Sequence, residues 1–366
     1  MRNRVLSAAV AAALVAPVSV SAQSTVVLYG LVDVAYQNVG NYAATVSNRS
    51  GFGSGGARSS RLGARATEDL GGGLTARAVI EFDIAGDTGQ EGANGMTGRQ
   101  TFVGLAAMRW GELSFGRQTT HSYINALLAD GIAGGNSFQS FYTMEDQISR
   151  ASNYLKYSSP IIGGGFTFGA GWAPGEDPTA GNKGNRNYFD WHVRWEQGPF
   201  GIGLAQAQFK NNTTGAAVAA VIAAPGAFPV AAQPAGLDMK EKDTSLSGYY
   251  KFSGFRIYAV HSRSTQGGTG AAEKFRLNGI RGEMDIGKGI LALSFAQRKN
   301  KLVADSDSSF VGIGYYHQMT TRTQFYATYA RIKNETGANL GLNGQWAPQA
   351  ASFDPRGLQI GMGHSF

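Results

Sequence analysis

Charged side chains alternate with apolar ones between positions 60 and 83, and they are the clearest chemical signal in this chain. Arg61 and Arg65 share one parity of a predicted strand, whereas Leu62 and Ala64 share the other. The same alternation continues in a second predicted strand after a glycine turn. A period of two places the charges on one face and the apolar residues on the opposite face. Charges arranged in this way can attract, repel and orient ions and polar solutes.

Residue patterns typical of enzymes and metal sites are weak or missing. The chain has no cysteine, and its 5 histidines are too far apart for a metal-ligand spacing. It has neither a Gly-x-Ser-x-Gly nucleophile elbow nor a His-Glu-x-x-His helix. A Gly-x-Gly-x-x-Gly match begins at Gly51, but it precedes a predicted strand, whereas a dinucleotide site needs a helix there. The sequence therefore predicts no enzyme, no metal and no cofactor.

The N-terminus predicts export from the cytoplasm. Two arginines precede the apolar run Val5–Val15, which is too short to cross a bilayer, and Val20–Ala22 forms a small-residue cleavage site. We therefore expect residues 1–22 to be a signal peptide and residues 23–366 to form a single mature domain. The hairpin at 60–83 could then belong to a soluble sandwich or to a membrane barrel.

The charge balance gives little support for nucleic-acid binding. The formal net charge is +7, and removing Arg2 and Arg4 with the signal peptide leaves +5. In the sequence the remaining basic residues are scattered singly along alternating strands, without a basic arm.

The spacing of the connections favours the membrane barrel. The alternating segments number about 16, and tight turns such as Gly71–Gly73 and Ser253-Gly254 alternate with long polar connections. Outer-membrane barrels have this asymmetry, with short periplasmic turns and long extracellular loops. The sequence therefore predicts an all-β fold, a 16-stranded antiparallel transmembrane β-barrel. Residues 211–236, which are rich in Ala, Val and Pro, are predicted to form an external loop.

Motifs in a fixed order run along the chain from residue 24 to residue 366. They are Leu28-Tyr29-Gly30 with Asp33, Ser60–Gly63 with Thr67–Leu74, Gly98–Gln100 with Val103–Leu105, Phe115–Gln118, Arg150 with Asn153, Tyr157, Ser159 and Pro160, and the closing Gly361–Phe366. Together these segments resemble the Gram-negative general porins, particularly those of the betaproteobacterial type.

The resemblance implies a homotrimer of 16-stranded barrels, each with its third loop folded into the lumen. Residues 119–149 occupy the position of that constriction loop. Asp130, Glu145 and Asp146 resemble the acidic side of the family's constriction. The basic side corresponds to Arg61, Arg117 and the region of Lys156, and parity and position add Arg77 and Arg99. Opposed charges across a narrow lumen would create a transverse field that filters ions by sign.

Several of these assignments have alternatives. Arg65 shares the face of Arg61, and we interpret it as an ordinary solvated lumen residue. Arg117 shares a parity with apolar Phe115, so it faces inward only if a bulge at Gly116 turns it; otherwise it faces lipid or a trimer contact. Leu31 replaces a lumen lysine that some family members have. Glu145 and Asp146 could also be ordinary solvated loop charges.

The sequence thus predicts a passive diffusion channel for ions and small hydrophilic solutes across the Gram-negative outer membrane, with weak anion selectivity. A substrate-selective channel for phosphate or carboxylate is the first alternative, and a barrel enzyme or adhesin is the second. Expected partners are outer-membrane lipid, lipopolysaccharide and the barrel-assembly machinery, which would act through the C-terminal strand. Phe366 is predicted to serve barrel insertion and closure.

Overall fold

The alternating strands form one antiparallel β-sheet that closes on itself. The computed structural model describes residues 24–43, 46–92, 98–131, 138, 140–144, 147–175, 187–213, 237–267, 273–342 and 353–366. The strands are β1 (Thr25–Ala43), β2 (Val46–Ser54), β3 (Arg61–Gly71), β4 (Leu74–Ala85), β5 (Gln90–Glu91), β6 (Thr101–Ala107), β7 (Gly111–Thr119), β8 (Arg150–Ser158), β9 (Phe166–Ala173), β10 (Tyr188–Gln197), β11 (Phe200–Thr213), β12 (Leu237–Phe252), β13 (Phe255–Gly267), β14 (Glu273–Ile286), β15 (Gly289–Asn300), β16 (Ser308–Gln318), β17 (Thr323–Asn334) and β18 (Arg356–Ser365).

Sixteen of these strands form the barrel, because β2 and β5 only extend its rim. β2 pairs with the upper half of β1 above the β1–β3 ladder, and β5 pairs with two residues of β4. β18 pairs with both β17 and β1, which closes the sheet. The predicted 16-stranded antiparallel barrel is therefore confirmed. Within the described residues, no helix is long and apolar enough to cross a membrane.

Each strand separates its residues between the lumen and the outer surface. In β17, Tyr326, Thr328 and Ala330 are buried inside, whereas Phe325 and Tyr329 are exposed outside. Large exposed apolar side chains recur at the outward positions of most other strands. This face provides the apolar band that a membrane barrel presents to lipid.

Short turns join the strands at one end of the barrel, as the sequence predicted. Gly254 has a φ of 72° in the turn between β12 and β13, and Gly198 has a φ of 57° between β10 and β11. Glycine adopts this left-handed conformation without steric cost, which explains its use in these turns. The strand ends that lead into the long connections lie at the opposite end.

The last residue completes the seam between β18 and β1. Phe366 and Gly30 exchange two backbone hydrogen bonds of 3.0 Å. The Phe366 ring lies directly over Gly30, where any Cβ atom would collide with it. A side chain at position 30 would therefore force the Phe366 ring to move away from this position.

The third loop, between β7 and β8, folds into the barrel. It begins with helix α1 (His121–Ala126) and later contains a 3-10 turn (Phe141–Met144). Thr120 Oγ1 accepts a hydrogen bond from the Tyr123 amide as the helix N-cap and donates one to the Ile148 carbonyl, so both ends of the loop meet. An apolar cluster joins the loop to the inner wall of β13–β17. Its members are Val39, Ala129, Phe138, Phe141, Met144, Val260, Leu277, Ala296, Phe310, Ala330, Ile332 and Leu342.

Two predicted segments cannot be compared with this fold. The signal peptide, residues 1–22, lies outside the described residues. Most of the external loop predicted at 211–236 lies outside them as well, and its first three residues belong to β11.

Candidate pore constriction

Arg61 lies on the lumen face at the extracellular end of β3. The strand register places it directly opposite Leu31 on β1 and Asp83 on β4. As a whole residue Arg61 is partly exposed, and its guanidinium lies within electrostatic range of Arg58, Arg99 and Glu81. Within the described part of the chain, Arg61 forms no ion pair with a carboxylate.

The acidic groups beside Arg61 are buried and already have partners. Arg99 Nε lies 3.4 Å from a Glu81 carboxylate oxygen, and Arg99 Nη1 lies 3.9 Å from Asp83. Tyr29 and Gln100 donate further hydrogen bonds to Glu81, of 3.2 and 3.3 Å. Only 5% of Glu81, 7% of Asp83 and 4% of Arg99 is exposed. These acids are therefore compensated beneath the surface of the lumen.

Gly63 creates the space that this network needs. It stands between Tyr29 and Glu81 in the β1–β3–β4 register. The Tyr29 ring crosses over Gly63 to reach Glu81, and a Cβ atom there would lie only 2.7 Å from the Tyr29 hydroxyl. The glycine of the Arg61-Leu62-Gly63 motif thus has a packing role.

Helix α1 is fastened to the wall opposite Arg61. Asn125 Nδ2 donates hydrogen bonds of 3.3 Å to the carbonyls of Gly203 and Ser245, and one of 3.2 Å to the Ser245 hydroxyl. The Ser122 amide donates a hydrogen bond of 2.8 Å to Asp190 on β10. Tyr154 and Tyr188 also donate to Asp190. One buried carboxylate on β10 therefore holds the loop and also reaches Tyr154 on β8, across the intervening strand β9.

His121 is the first residue of α1 and is almost completely buried. Its Nε2 lies 2.8 Å from the Tyr157 carbonyl, and its ring is 4.4 Å from that of His192. Burial, together with the charges of Lys156 and His192, lowers the pKa of His121 to about 2. The imidazole is therefore neutral at physiological pH.

The predicted pore-lining role of Asp130 is wrong. Only 4% of Asp130 is exposed, because it is buried where the loop meets the barrel wall. Its carboxylate accepts hydrogen bonds from the Ser140 hydroxyl and the Phe141 amide, of 2.6 and 2.9 Å. Arg281 of β14 lies 3.8 Å away. Asp130 therefore anchors the loop and does not face the pore.

Two of the predicted basic residues also lie away from Arg61. Arg77 forms an ion pair with Glu112 near the periplasmic end of the lumen. It is six positions along β4 from Asp83, or roughly 20 Å at the usual rise per residue. Its predicted place at the constriction is therefore wrong.

Arg117 faces outward, so its assignment to the constriction is wrong as well. The register is irregular between Gly116 and Gln118, as the bulge prediction required. The irregularity does not turn the side chain inward, because Arg117 remains opposite exposed Thr101 on β6. Its guanidinium donates hydrogen bonds to the Gly98 carbonyl and to the Ser152 hydroxyl, of 2.6 and 3.0 Å.

The remaining assignments divide into three groups. Arg99 lies beside Arg61, as described above. Lys156 stands on the lumen face of β8 at the base of the loop, where its Nζ donates a hydrogen bond of 2.8 Å to the Thr119 carbonyl. Glu145 and Asp146 lie outside the described residues.

Sequence reasoning missed Arg58 and the buried acids. Arg58 lies just before β3, in a Gly/Ser-rich segment without strand periodicity, so no pattern placed it in the lumen. Glu81 and Asp83 have the parity of a lumen wall, but their pairing with Arg99 depends on a contact between the second loop and β4. Parity alone could have identified their face, although not their partner. Among the described residues, no cluster of His, Asp or Glu is arranged to hold a metal ion.

Comparisons with known proteins agree with this architecture. The sequence profile of the Gram-negative porins matches residues 8–337. Outer membrane porin protein 32 of Delftia acidovorans is 30% identical over 372 residues, which cover 97% of this chain and 98% of that protein. An outer membrane porin protein of Bordetella pertussis is 28% identical, over 73% of this chain and 70% of its own length.

A solved structure supports the same conclusion. An anion-selective porin from Comamonas acidovorans superimposes with a TM-score of 0.78 at 28% identity, over 94% of this chain and 100% of that one. The barrel, its inserted loop and these relatives together show that the chain belongs to the Gram-negative porin family and forms a passive diffusion channel in the outer membrane.

Proposed function

We propose that the channel is weakly anion-selective and that Arg61 provides most of this selectivity. The supporting observation is the contrast between accessible and buried charge on the β1–β3–β4 wall. Arg61 is partly exposed and lacks a carboxylate partner among the described residues, whereas Glu81 and Asp83 are buried against Arg99. A permeating ion therefore meets positive charge first. A relative with an anion-selective channel, from Comamonas acidovorans, supports the same sign.

The proposed constriction lies between this wall and the third loop. Arg61 would form the accessible part of its basic side, with the buried Arg99 behind it and Lys156 at the base of the loop. Glu145 and Asp146 remain proposals for the acidic side. Among the described residues of the loop, the acid is Asp130, and it is already bonded to the barrel wall. Positive charge would therefore dominate the transverse field.

Reversal potentials in planar bilayers under a salt gradient test this proposal. Arg61→Gln should lower the anion-to-cation permeability ratio at least twofold, because it removes the accessible charge at the narrow region. Arg65→Gln is the matched control, since Arg65 has the same parity but stands four positions nearer the periplasm. Equal effects of both variants would remove Arg61 from its proposed role. If millimolar phosphate or a carboxylate blocked the chloride current, the result would favour the substrate-selective alternative.

We further propose that the barrel assembles as a homotrimer through the outer face of β3–β7. A row of alanines there, Ala66, Ala76 and Ala78, forms a shallow hollow. Larger apolar side chains, Val103, Leu105, Leu113 and Phe115, surround this hollow. An outward arginine is costly against lipid, so Arg117 on the same face favours a protein neighbour. Ala78→Trp should convert trimers to monomers on native gels, and trimers that persist would exclude this face.

The remaining partners proposed are outer-membrane lipid, lipopolysaccharide and the barrel-assembly machinery. The C-terminal strand would present its exposed apolar residues, including Phe366 with 55% of its surface exposed, to that machinery. Deleting Phe366 should lower the yield of folded barrel in the outer membrane. Unchanged yield would contradict the assembly role.

A further inference from the structure

The side of helix α1 that is turned toward the lumen is apolar. Tyr123, Ile124 and Leu127 lie on this side of the helix, and all three are at least partly exposed. Ser122 and Asn125 lie on the other side, where they are buried and bonded to the barrel wall. The apolar face of α1, which consists of Tyr123, Ile124 and Leu127, is therefore the part of the helix that a solute in the lumen can touch.

This stretch of the third loop presents no charge to the lumen. Between Thr120 and Gly131 the acidic and basic side chains are His121 and Asp130, and both are buried. His121 is bonded to the β8 backbone, and Asp130 is bonded within the loop, as described above. The family resemblance implied an acidic loop opposite a basic wall. Over this helix the described residues form an apolar surface instead.

The wall across the lumen from α1 is basic. The helix packs against β10, β11 and β12. In the closed ring of sixteen strands these three lie eight positions away from β18, β1 and β3, respectively. The apolar face of α1 is therefore turned toward the wall that carries Arg61. A solute between them has an apolar surface on one side and positive charge on the other.

Gln100 shows that the two sides lie at a similar depth in the pore. Its Nε2 donates a hydrogen bond of 3.3 Å to Glu81, which lies within electrostatic range of Arg61. Its Oε1 accepts hydrogen bonds from the amide and the hydroxyl of Thr119, of 3.4 and 3.2 Å. Thr119 directly precedes the N-cap of α1, so one side chain connects the arginine wall to the start of the helix. Tyr123 follows within the first turn.

A solute with a carboxylate at one end and a flat apolar body at the other fits this arrangement. A guanidinium binds a carboxylate through paired N–H donors and also stacks on flat rings. Apolar solute surface that leaves water against Ile124 and Leu127 gains free energy, and the Tyr123 ring can pair with a second ring. A hydrophilic anion of the same size and charge gains only the electrostatic contribution.

We propose that the channel prefers organic anions with an apolar or aromatic body, such as arylcarboxylates, over hydrophilic anions of equal size and charge. The part of this preference that depends on charge rests on the proposed role of Arg61. The apolar part rests on α1 alone. Because the apolar face of α1 is open to the lumen, the solute is held weakly enough to leave, as permeation requires.

Bi-ionic reversal potentials in planar bilayers test this proposal with the full-length mature channel. Sodium benzoate is placed on one side and sodium threonate on the other. These two carboxylates have equal charge and equal numbers of non-hydrogen atoms, but threonate carries hydroxyl groups where benzoate has a ring. Wild type should be on the order of threefold more permeable to benzoate, because benzoate alone can bury apolar surface on α1.

The test variant carries Tyr123→Ser, Ile124→Ser and Leu127→Ser. Its benzoate-to-threonate permeability ratio should fall to about one, because the apolar surface is gone. A wider pore alone would not change this ratio, since the two anions have the same size. The conservative variant Tyr123→Phe with Leu127→Met keeps the face apolar and should keep the wild-type ratio.

A matched control removes exposed apolar side chains from another part of the chain. Leu302 and Val303 are exposed in the connection between β15 and β16, outside the third loop. Leu302→Ser with Val303→Ser should leave the benzoate-to-threonate ratio equal to that of wild type. Heat-modifiable migration on gels checks that every variant is folded.

Three outcomes would overturn the inference. They are equal permeability of wild type to the two anions, an unchanged ratio in the test variant, and an equal loss in the control variant. The chloride-to-sodium permeability ratio of the test variant should equal that of wild type. Arg61→Gln should lower the permeability of both carboxylates relative to sodium without changing the ratio between them. These two measurements separate failure of the solute preference from failure of the proposed anion selectivity.

Discussion

Tyr326 on β17 donates a hydrogen bond of 2.6 Å to Asp33 on β1, across the closing strand β18 that lies between them. Asp33 also accepts hydrogen bonds from the backbone amides of Ala57 and Arg58, of 3.3 and 3.1 Å. Gly361 on β18 leaves room for the tyrosine to cross, because a Cβ atom there would collide with its hydroxyl. One buried carboxylate thus joins both ends of the chain to the segment that positions Arg58 and Arg61.

Tyr326→Phe should destabilise the barrel by about 1–3 kcal/mol, because it leaves the buried Asp33 carboxylate with one hydrogen bond fewer. The midpoint of urea unfolding in detergent or lipid measures this change. Tyr329→Phe is the control, since Tyr329 lies on the exposed outer face three residues further along the same strand. An equal midpoint in Tyr326→Phe and wild type would show that the hydrogen bond contributes no net stability.

The attachment of α1 predicts a different phenotype, in the channel current. Asn125→Ala removes three hydrogen bonds between the third loop and the walls of β11 and β12. A loosened loop should increase current fluctuations of the open single channel at least twofold, with the number of conducting units unchanged. Asn278→Ala is the control, because Asn278 is exposed on the outer face of β14, and its open-channel current fluctuations should equal those of wild type. Current fluctuations equal to those of wild type in Asn125→Ala would mean that other contacts hold the loop.

Charge compensation at the constriction predicts that removing an acid changes selectivity. Glu81→Gln can keep the hydrogen bond from Tyr29 while leaving Arg99 only partly compensated. The anion-to-cation permeability ratio should therefore rise, in the direction opposite to Arg61→Gln. Reversal potentials near 0.1 M salt, where the Debye length is about 10 Å, measure the effect.

Glu112→Gln tests whether that effect is local. Glu112 pairs with Arg77, which is four positions, or roughly 13 Å, along β4 from Glu81. Screening should make its effect on the permeability ratio less than half that of Glu81→Gln. A larger effect from Glu112 would place the selective region nearer the periplasm than we propose.

Local periodicity explains why the fold could be predicted from the sequence. The parity of Arg61 and Leu62, and the alternation of tight and long connections, depend only on neighbouring residues, and the structure has the predicted sixteen barrel strands and short turns. The two rim strands, β2 and β5, were not predicted. The Asp33–Tyr326 contact joins positions 293 residues apart, so no local pattern could reveal it. Arg263 and Arg276 likewise become neighbours only through the strand register.

Site residues were harder to predict because parity identifies a face without identifying a partner. Asp130 was assigned to the constriction from the family resemblance, and Arg77 from its parity and position. Arg281 and Glu112 neutralise them elsewhere in the lumen. Arg117 had the parity of an outward residue, and here the simple alternation was the better guide than the bulge at Gly116.

His121 predicts an acid-dependent weakening of the barrel. Its pKa is about 2 in the folded protein, compared with about 6.5 in an unfolded chain, so between these values only the unfolded state binds a proton at this site. The contribution of the neutral His121 side chain to the free energy of unfolding is fully present above pH 6.5. It decreases as the pH falls below this value. The expected loss is on the order of 1.4 kcal/mol per pH unit, or about 3 kcal/mol between pH 6.5 and pH 4.5. The free energy of unfolding of wild type and His121→Gln, measured across this range, should converge as the pH falls, because glutamine cannot be protonated. Parallel pH profiles for the two proteins would show that the buried imidazole does not control the acid response.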